Sequence, residues 1–284
     1  MKNKNVPIGV FDSGVGGLTV VREIMEQLPG EAILYFGDTA RVPYGNKSEE
    51  TVVRYSSQII KFLLSKGAKT IVIACNTASA VALEKMKKEF EVPIIGVVEP
   101  GAKAAAKVTR NGRIGVIGTE ATIRSGIYNE FLQKTNPHVT VYGKACPLFV
   151  PLAEEGWVEE DEITEQVARR YLAELSEQDI DTLVLGCTHY PLLRSVIQKV
   201  VGDKVQLVNP AVETARELKY LLEERRLLNE CEKAGETYAV AGGTLLPQHE
   251  FFVSDRAEKF KQFAASILPS AILRPESVGV EKFE

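Results

Sequence analysis

Short apolar segments alternate with amphipathic segments along almost the whole of the 284-residue chain. The apolar segments, rich in Val, Ile and Leu, predict strands at 6–12, 31–37, 69–75, 92–98, 113–118, 139–143, 181–187, 205–209 and 249–255. The amphipathic segments predict helices at 16–28, 48–66, 78–90, 100–109, 120–135, 159–176, 191–201, 211–227 and 256–268. Apolar strands that alternate with helices are typical of parallel sheets covered on both faces, so we expect an α/β fold.

Three motifs occur twice, in the same order and about 110 residues apart. The pairs are IGVFDSG (8–14) with IGVIGTE (114–120), TIVIACNT (70–77) with TLVLGCTH (182–189), and VPIIGVVEP (92–100) with VQLVNP (205–210). The repeat predicts two pseudo-symmetric domains, each a mainly parallel sheet flanked by helices, with the active site in the cleft between them. We expect residues 1–98 plus 210–284 in the first domain and 99–209 in the second, with 228–248 as a linker or peripheral excursion.

Composition and charge exclude several classes of protein. The formal net charge of −4 leaves no broad basic face, so nucleic acid is not an expected partner. No apolar run approaches the roughly 20 residues of a membrane span, and the N-terminus lacks the pattern of a secretory signal. The four cysteines are far apart, with no CxxC motif and no metal-ligand spacing. The sequence therefore predicts a cytoplasmic protein with free thiols and no metal site.

Two of these cysteines end matching strands of the repeat. Cys75 and Cys187 each precede a predicted helix, whose positive end is expected to lower the thiol pKa from about 8.5 toward neutrality. Either cysteine alone is better explained as a small buried apolar residue, but a pair in matching settings favours a functional role instead. Cys146 and Cys231 lack this context and are interpreted as non-catalytic.

Polar residues at the same strand ends are candidates to assist the thiols. Asp12 opens DSGVGG (12–17) beside the predicted Cys75 strand, where it could tune the thiol or relay a proton. The alternative is that Asp12 or Ser13 simply caps the following helix. His189, one of only three histidines, follows Cys187 by two residues and is a candidate acid/base partner.

Two further segments are weaker candidates. Pro43, Tyr44 and Gly45 form a rigid turn in the loop 37–50, suited to be the wall of a ligand site or to be an ordinary turn. Glu155, in EEGWV, either contributes the second domain's carboxylate to the cleft or lies in an exposed loop.

Two activated thiols that face one cleft suit few reactions. A cysteine hydrolase needs one nucleophile and a histidine base, and a dithiol oxidoreductase needs its sulfurs close enough to bond. Inversion of a stereocentre fits best, because one thiolate removes a proton from one face of Cα while the opposing thiol delivers a proton to the other.

Four motifs together resemble the cofactor-independent glutamate racemases of the aspartate/glutamate racemase superfamily, over almost the whole chain. They are FDSGVGGL (11–18), PYGNKS (43–48), ACNTASA (74–80) and GCTHYPL (186–192). The resemblance implies a cytoplasmic homodimer that interconverts L- and D-glutamate for bacterial peptidoglycan synthesis and cell shape, without pyridoxal phosphate or metal.

The resemblance also implies roles for individual residues. Cys187 would deprotonate L-glutamate and Cys75 would deprotonate D-glutamate, with assistance from Asp12, His189 and Glu155. The residues expected to hold glutamate are Asp12, Ser13, Pro43, Tyr44, Gly45, Asn76, Thr77, Thr188 and His189.

Two alternatives remain open at this stage. One is racemisation of aspartate or another acidic amino acid by the same thiols. The other is an amino-acid-binding protein without chemistry, which is disfavoured because binding needs no reactive thiols and both would be exposed to oxidation.

Overall fold

The computed structural model describes residues 5–159, 161–229, 232–234, 237–239, 248–268 and 274–280. Cys231, and much of the segment 228–248 predicted as a linker, lie outside the described residues. No helix within the described ranges combines the length and apolar character needed to cross a membrane.

The strands of the described residues are β1 (Ile8–Asp12), β2 (Ile33–Gly37), β3 (Thr70–Ile73), β4 (Ile94–Gly96), β5 (Arg113–Gly118), β6 (Thr140–Ala145), β7 (Thr182–Gly186), β8 (Gln206–Val208), β9 (Glu232–Ala234), β10 (Thr237–Ala239), β11 (Glu250–Val253) and β12 (Glu276–Ser277). Nine of them follow the predicted apolar segments. The exceptions are β9 and β10, in the segment predicted as a linker or peripheral excursion, and β12, near the C-terminus.

Eleven of the twelve helices of the described residues occupy the predicted amphipathic segments. The twelve are α1 (Leu18–Gln27), α2 (Glu49–Ser65), α3 (Asn76–Val81), α4 (Leu83–Glu89), α5 (Val98–Val108), α6 (Glu120–Ser125), α7 (Ile127–Thr135), α8 (Phe149–Glu154), α9 (Glu162–Ser176), α10 (Arg194–Val201), α11 (Pro210–Glu224) and α12 (Ala257–Ile267), with 3-10 turns at Tyr44–Asn46 and Tyr190–Leu193.

Two parallel sheets organise the chain and confirm the predicted α/β class. The six-stranded sheet has the order β12-β11-β2-β1-β3-β4, and the four-stranded sheet has the order β6-β5-β7-β8. All neighbouring strands within these two sheets are parallel. The order β2-β1-β3-β4 reappears as β6-β5-β7-β8, so the sequence repeat corresponds to a repeated topology.

The strands are buried because helices cover both faces of each sheet. Every residue of β1, β2, β3 and β7 is buried, as their near-continuous apolar sequences predict. Alternate residues of β1 point to different cores: Val10 packs with α1 and α11, whereas Phe11 packs with α2 and α3. Such two-sided burial gives the strand ends a rigid frame.

Parallel strands place the candidate residues at one edge of each sheet. In the larger sheet, Phe11 lies opposite Ile73, so Asp12 and Cys75 follow at the same edge. In the smaller sheet, Gly118 lies opposite Gly186, the residue before Cys187. Both edges are the carboxyl ends of the strands, where ligands bind in sheets of this kind.

Two predicted helices divide into shorter ones, and one further helix was not predicted. The helix predicted at 120–135 divides into α6 and α7 at Gly126, whose φ of 69° is left-handed and ends α6. The helix predicted at 78–90 begins at Asn76 and divides at Ala82. Helix α8 was not predicted, because it has only six residues and its third is a proline.

Candidate active site

The two candidate thiols are both almost completely buried, but they have different neighbours. Cys75 is 5% exposed and caps the N-terminus of α3. Its Sγ accepts from Ala78 N at 3.5 Å and donates to Ser13 Oγ at 3.6 Å. Cys187 is 6% exposed, and its Sγ lies 3.9 Å from His189 Nδ1. A 3-10 turn separates Cys187 from α10, so only Cys75 directly precedes an α-helix.

The expected lowering of the Cys75 pKa is wrong for this conformation of the protein. Burial and the nearby Asp12 carboxylate raise the pKa of Cys75 to about 12, against the hydrogen bonds from Ala78 N and with Ser13. The six-residue helix α3 therefore does not offset the removal of the thiolate from water. Cys75 is held as a thiol, which is the state that can deliver a proton.

Asp12 lies at the contact between the two sheets. Its Oδ2 accepts from Gly14 N at 2.9 Å, and its Oδ1 accepts from Thr188 Oγ1 at 3.4 Å. Burial raises the pKa of Asp12, whereas the His189 charge and these hydrogen bonds oppose that rise. Asp12 thus influences Cys75 by charge and contacts the segment that carries Cys187.

His189 is held between Cys187 and a carboxylate. Its Nε2 lies 3.1 Å from Glu154 Oε1. Burial lowers the pKa of His189, but its interactions with Cys187 and Glu154 outweigh burial and bring the pKa to about 10. The hydrogen bond from His189 is the main cause of a lowered pKa for Glu154. At neutral pH the pair is therefore an imidazolium and a carboxylate.

Glu154 occupies the position that the sequence analysis expects for Glu155. Glu155 follows α8 and is exposed, whereas Glu154 ends the helix and faces His189. Two adjacent glutamates point in different directions at a helix end, so the choice depends on the register of α8. The apolar spacing of Phe149 and Leu152 is the signal that could have revealed this helix.

Most residues expected to hold glutamate are buried or half-buried around the thiols. Tyr44 is placed differently from the expected ligand wall: its hydroxyl donates to Asp38 Oδ2 at 2.5 Å and its ring packs on Tyr55. Pro43 is exposed. The neighbouring Gly45 faces the second sheet, because a Cβ on it would lie 2.8 Å from the Cβ of Thr119. The backbone of this loop, rather than the phenol, borders the site.

Three hydroxyl groups meet across the cleft. Thr77 Oγ1 lies 2.9 Å from Thr119 Oγ1 and 3.4 Å from Thr122 Oγ1. Sequence reasoning missed Thr119, although the repeat contains the signal: IGVIGTE aligned with IGVFDSG puts Thr119 at the position of Ser13. Ser13 follows β1 and Thr119 follows β5, so each comes after the first strand of its repeat.

Asn76 and Thr188 also link the two sheets. Asn76 Oδ1 accepts from Tyr128 OH at 2.7 Å, and the Thr188 carbonyl accepts from Thr19 Oγ1 at 2.9 Å. Gly16 allows this approach, because a Cβ there would lie 2.5 Å from Thr188 Oγ1 and from the His189 ring. Sequence reasoning did not identify Tyr128 or Thr19, and both act over separations that no local motif spans.

Together these residues provide two thiols, one cation and several hydroxyl and amide groups in one buried region. Hydroxyl and N–H donors beside an imidazolium suit a carboxylate ligand, and two thiols suit proton transfer. Across the described part of the chain, no cluster of three or more His, Cys, Asp or Glu could hold a metal ion.

Comparisons with known proteins identify the family of the chain. A family model described as Asp/Glu/Hydantoin racemase matches residues 8–218. The chain is 54% identical to a glutamate racemase of Geobacter metallireducens over 87% of each protein. It superposes on the crystal structure of a Bacillus anthracis glutamate racemase with a TM-score of 0.90 at 40% identity, over 98% of this chain and 99% of that one. A Francisella tularensis glutamate racemase in complex with D-glutamate matches with a TM-score of 0.87 at 38% identity, over 99% of this chain and 100% of that one.

Proposed function

Because the chain belongs to the Asp/Glu/hydantoin racemase family, we propose that it interconverts L- and D-glutamate by moving protons between Cα and two thiols. The observation that carries the chemistry is the pair Cys75 and Cys187, each buried at the carboxyl end of an equivalent strand. The enzyme is an isomerase, and the D-glutamate that it forms is used in peptidoglycan and cell-wall synthesis.

The charges around the thiols support an order of events for L-glutamate. Protonated His189 can donate to a Cys187 thiolate, while burial and Asp12 keep Cys75 protonated. Cys187 then removes the Cα proton of L-glutamate, and Cys75 delivers its proton to the opposite face. The D-enantiomer is converted by the same steps in reverse, from a form in which Cys75 is the thiolate.

Asp12 and His189 each assist one thiol in this mechanism. Asp12 is buried and acts on Cys75 through its charge, so it can accept or return the proton that Cys75 exchanges. His189 acts on Cys187 through its ring, and Glu154 keeps that ring charged and oriented. Glu154 takes the supporting role that the sequence analysis assigns to Glu155.

The carboxylates of glutamate are held by neutral donors and one cation. Candidate donors are the hydroxyls of Ser13, Thr77 and Thr188, the side-chain amide of Asn76 and the backbone N–H of Gly45. His189 contributes positive charge from the second sheet. Because both thiols are at most 6% exposed, entry of glutamate requires the two sheets or their loops to separate.

The wider organisation completes the proposal. We propose domain limits at 98/99 and 209/210; the passage of the chain out of the six-stranded sheet after β4 and out of the four-stranded sheet after β8 supports them. The enzyme is cytoplasmic and acts as a homodimer. Exposed apolar side chains of Leu148, Trp157 and Ile163 on the second domain offer surface for a partner copy. Analytical ultracentrifugation tests the dimer.

Circular dichroism of glutamate solutions tests the reaction. L-Glutamate and D-glutamate incubated separately with the pure protein should both lose optical activity. Loss of optical activity with aspartate alone would show that aspartate, not glutamate, is the substrate. Unchanged optical activity with both amino acids would indicate an amino-acid-binding protein without chemistry.

Deuterium labelling tests the two-thiol mechanism. In D₂O, stopped early, L-glutamate should yield D-glutamate with deuterium at Cα, while the recovered L-glutamate stays protiated. The reverse experiment should show the same asymmetry. A single shared base would instead return the original proton or label substrate and product together.

A further inference from the structure

Tyr128, in a helix that covers the smaller sheet, contacts both of the segments that carry the thiols. Tyr128 lies in α7 and is 2% exposed. Its hydroxyl donates to Asn76 Oδ1 at 2.7 Å, and Asn76 directly follows Cys75. Its ring edge lies against Gly186, where an added Cβ would be 3.2 Å from Tyr128 Cε2, and Gly186 directly precedes Cys187. Tyr128 therefore connects the chain beside one thiol with the chain beside the other.

Other buried tyrosines near the site make a different kind of contact. Tyr35 OH donates to the Gly14 carbonyl, and Tyr190 OH donates to the Cys146 carbonyl, each within its own half of the repeat. Tyr128 instead donates to a side chain of the other half. A hydrogen bond that only satisfied the buried hydroxyl of Tyr128 could use any backbone carbonyl, whereas the observed partner, Asn76, directly follows Cys75.

The direction of this hydrogen bond decides what Asn76 can offer. A primary amide has one acceptor oxygen and two N–H donors. Tyr128 occupies the oxygen, so the N–H groups are directed elsewhere. Asn76 lines a small cavity of about 10 Å³ together with Cys187 and Thr188. Its N–H groups are therefore candidate donors to a carboxylate of glutamate near Cys187 and Thr188.

We infer that Tyr128 is a positioning residue, which locks the Asn76 amide as a donor to glutamate and holds the Cys75 segment in register with the Cys187 segment. This inference rests on the proposed function. Without the hydroxyl, the Asn76 amide can rotate and present its oxygen to an anion, which weakens substrate binding and misplaces Cα between the thiols.

Tyr128→Phe tests the hydroxyl while keeping the ring against Gly186. We expect kcat/KM for both enantiomers to fall about tenfold, the effect of losing one well-placed hydrogen bond. Tyr171→Phe is the matched control, because the Tyr171 hydroxyl also forms a hydrogen bond, accepting from Leu148 N at 3.2 Å, away from the thiols. The control should retain wild-type kcat/KM, and both variants should keep the wild-type circular dichroism spectrum.

A double-mutant cycle with Asn76→Ala separates positioning from packing. If Tyr128 acts through Asn76, then adding Tyr128→Phe to Asn76→Ala should change kcat/KM by less than about twofold. An equal tenfold loss in both backgrounds, or wild-type activity in Tyr128→Phe, would overturn the inference.

Binding keeps this result separate from the proposed reaction. Calorimetric titration with D-glutamate should show weaker affinity in Tyr128→Phe than in the wild type. In the Asn76→Ala background, adding Tyr128→Phe should change the affinity by less than about twofold. Wild-type protein that binds but does not racemise glutamate would overturn the proposed function alone. Unchanged affinity in Tyr128→Phe would overturn the positioning role alone.

Discussion

Cys75 and Cys187 occupy equivalent positions in the repeat, yet their surroundings have opposite charge. Cys75 has a hydroxyl, a backbone N–H and the Asp12 carboxylate nearby. Cys187 has the imidazole of His189, which Glu154 keeps protonated. The duplicated topology therefore supplies two similar thiols, and the residues added around each one make them different.

This difference suits a reaction between mirror images. Racemisation needs one thiolate and one thiol at the same moment, and two identical sites would favour the same protonation state in both. A carboxylate beside Cys75 and a cation beside Cys187 stabilise one arrangement in the resting protein. The difference also means that damage to either side should have a distinct kinetic signature.

The largest effect is expected from removing either thiol. Cys75→Ser and Cys187→Ser should each lower kcat/KM by at least about 100-fold in both directions, because a hydroxyl is a far weaker acid than a thiol. Circular dichroism measures the rates. Cys146→Ala is the control, since Cys146 is a buried thiol in the core of the smaller sheet that the proposed mechanism does not use. Wild-type turnover in either serine variant would falsify the two-thiol mechanism.

Smaller losses are expected from the assisting groups, about 10- to 100-fold for Asp12→Asn and His189→Asn. Enantiomers have equal free energies, so kcat/KM must fall equally in both directions for each variant. The difference should appear in isotope effects with glutamate deuterated at Cα. His189→Asn should increase the effect for L-glutamate, and Asp12→Asn should increase it for D-glutamate. Identical isotope effects in the two variants would mean that neither group serves one particular thiol.

A backbone position should sharpen the comparison further. Gly16→Ala places a Cβ 2.5 Å from the His189 ring, which must shift and so disturbs its contact with Cys187. We expect a loss of about tenfold in kcat/KM and a stability loss of about 1–3 kcal/mol from overpacking. Gly143→Ala is the control, because its nearest contact is the Ile123 side chain at 3.1 Å. Equal effects of the two substitutions on activity would contradict the proposed position of His189.

The dependence of stability on pH should reflect the His189 side of the site. The folded pKa of about 10 lies above the ordinary value of 6.5, so the folded state retains a proton that the unfolded state releases. The stabilisation is complete below about pH 6.5 and is lost as pH rises toward 10. Urea midpoints should therefore fall between about pH 6.5 and 7.5, below the ordinary cysteine pKa of about 8.5. His189→Asn should flatten this slope, and an unchanged slope would reject the assignment.

Removal of metal should have no effect, since the two thiols themselves provide acid and base. Dialysis against a chelator should leave the racemisation rate unchanged. Loss of turnover, with recovery on adding a divalent cation, would contradict this expectation.

The sequence predicted the strands of the two sheets, apart from the two-residue edge strand β12, because apolar segments and repeated motifs are local features. Cys75, Cys187, Asp12 and His189 could be placed at strand ends, since each directly follows or closely follows a Val/Ile/Leu-rich segment. The repeated strand order follows from the repeated sequence. Strands that are buried on both faces need near-continuous apolar sequences, and such sequences indicate parallel sheets covered by helices.

The tertiary structure decided the contacts between these strand ends. Glu154, Thr119 and Tyr128 reach the site through helix register and through packing between segments that are distant in sequence. It also reversed the expected effect on the Cys75 pKa, because a helix terminus acts locally while burial and the Asp12 charge depend on the whole assembly. Local sequence patterns therefore determined which residues lie at the strand ends. Long-range packing determined the contacts of these residues, and desolvation determined the pKa of Cys75.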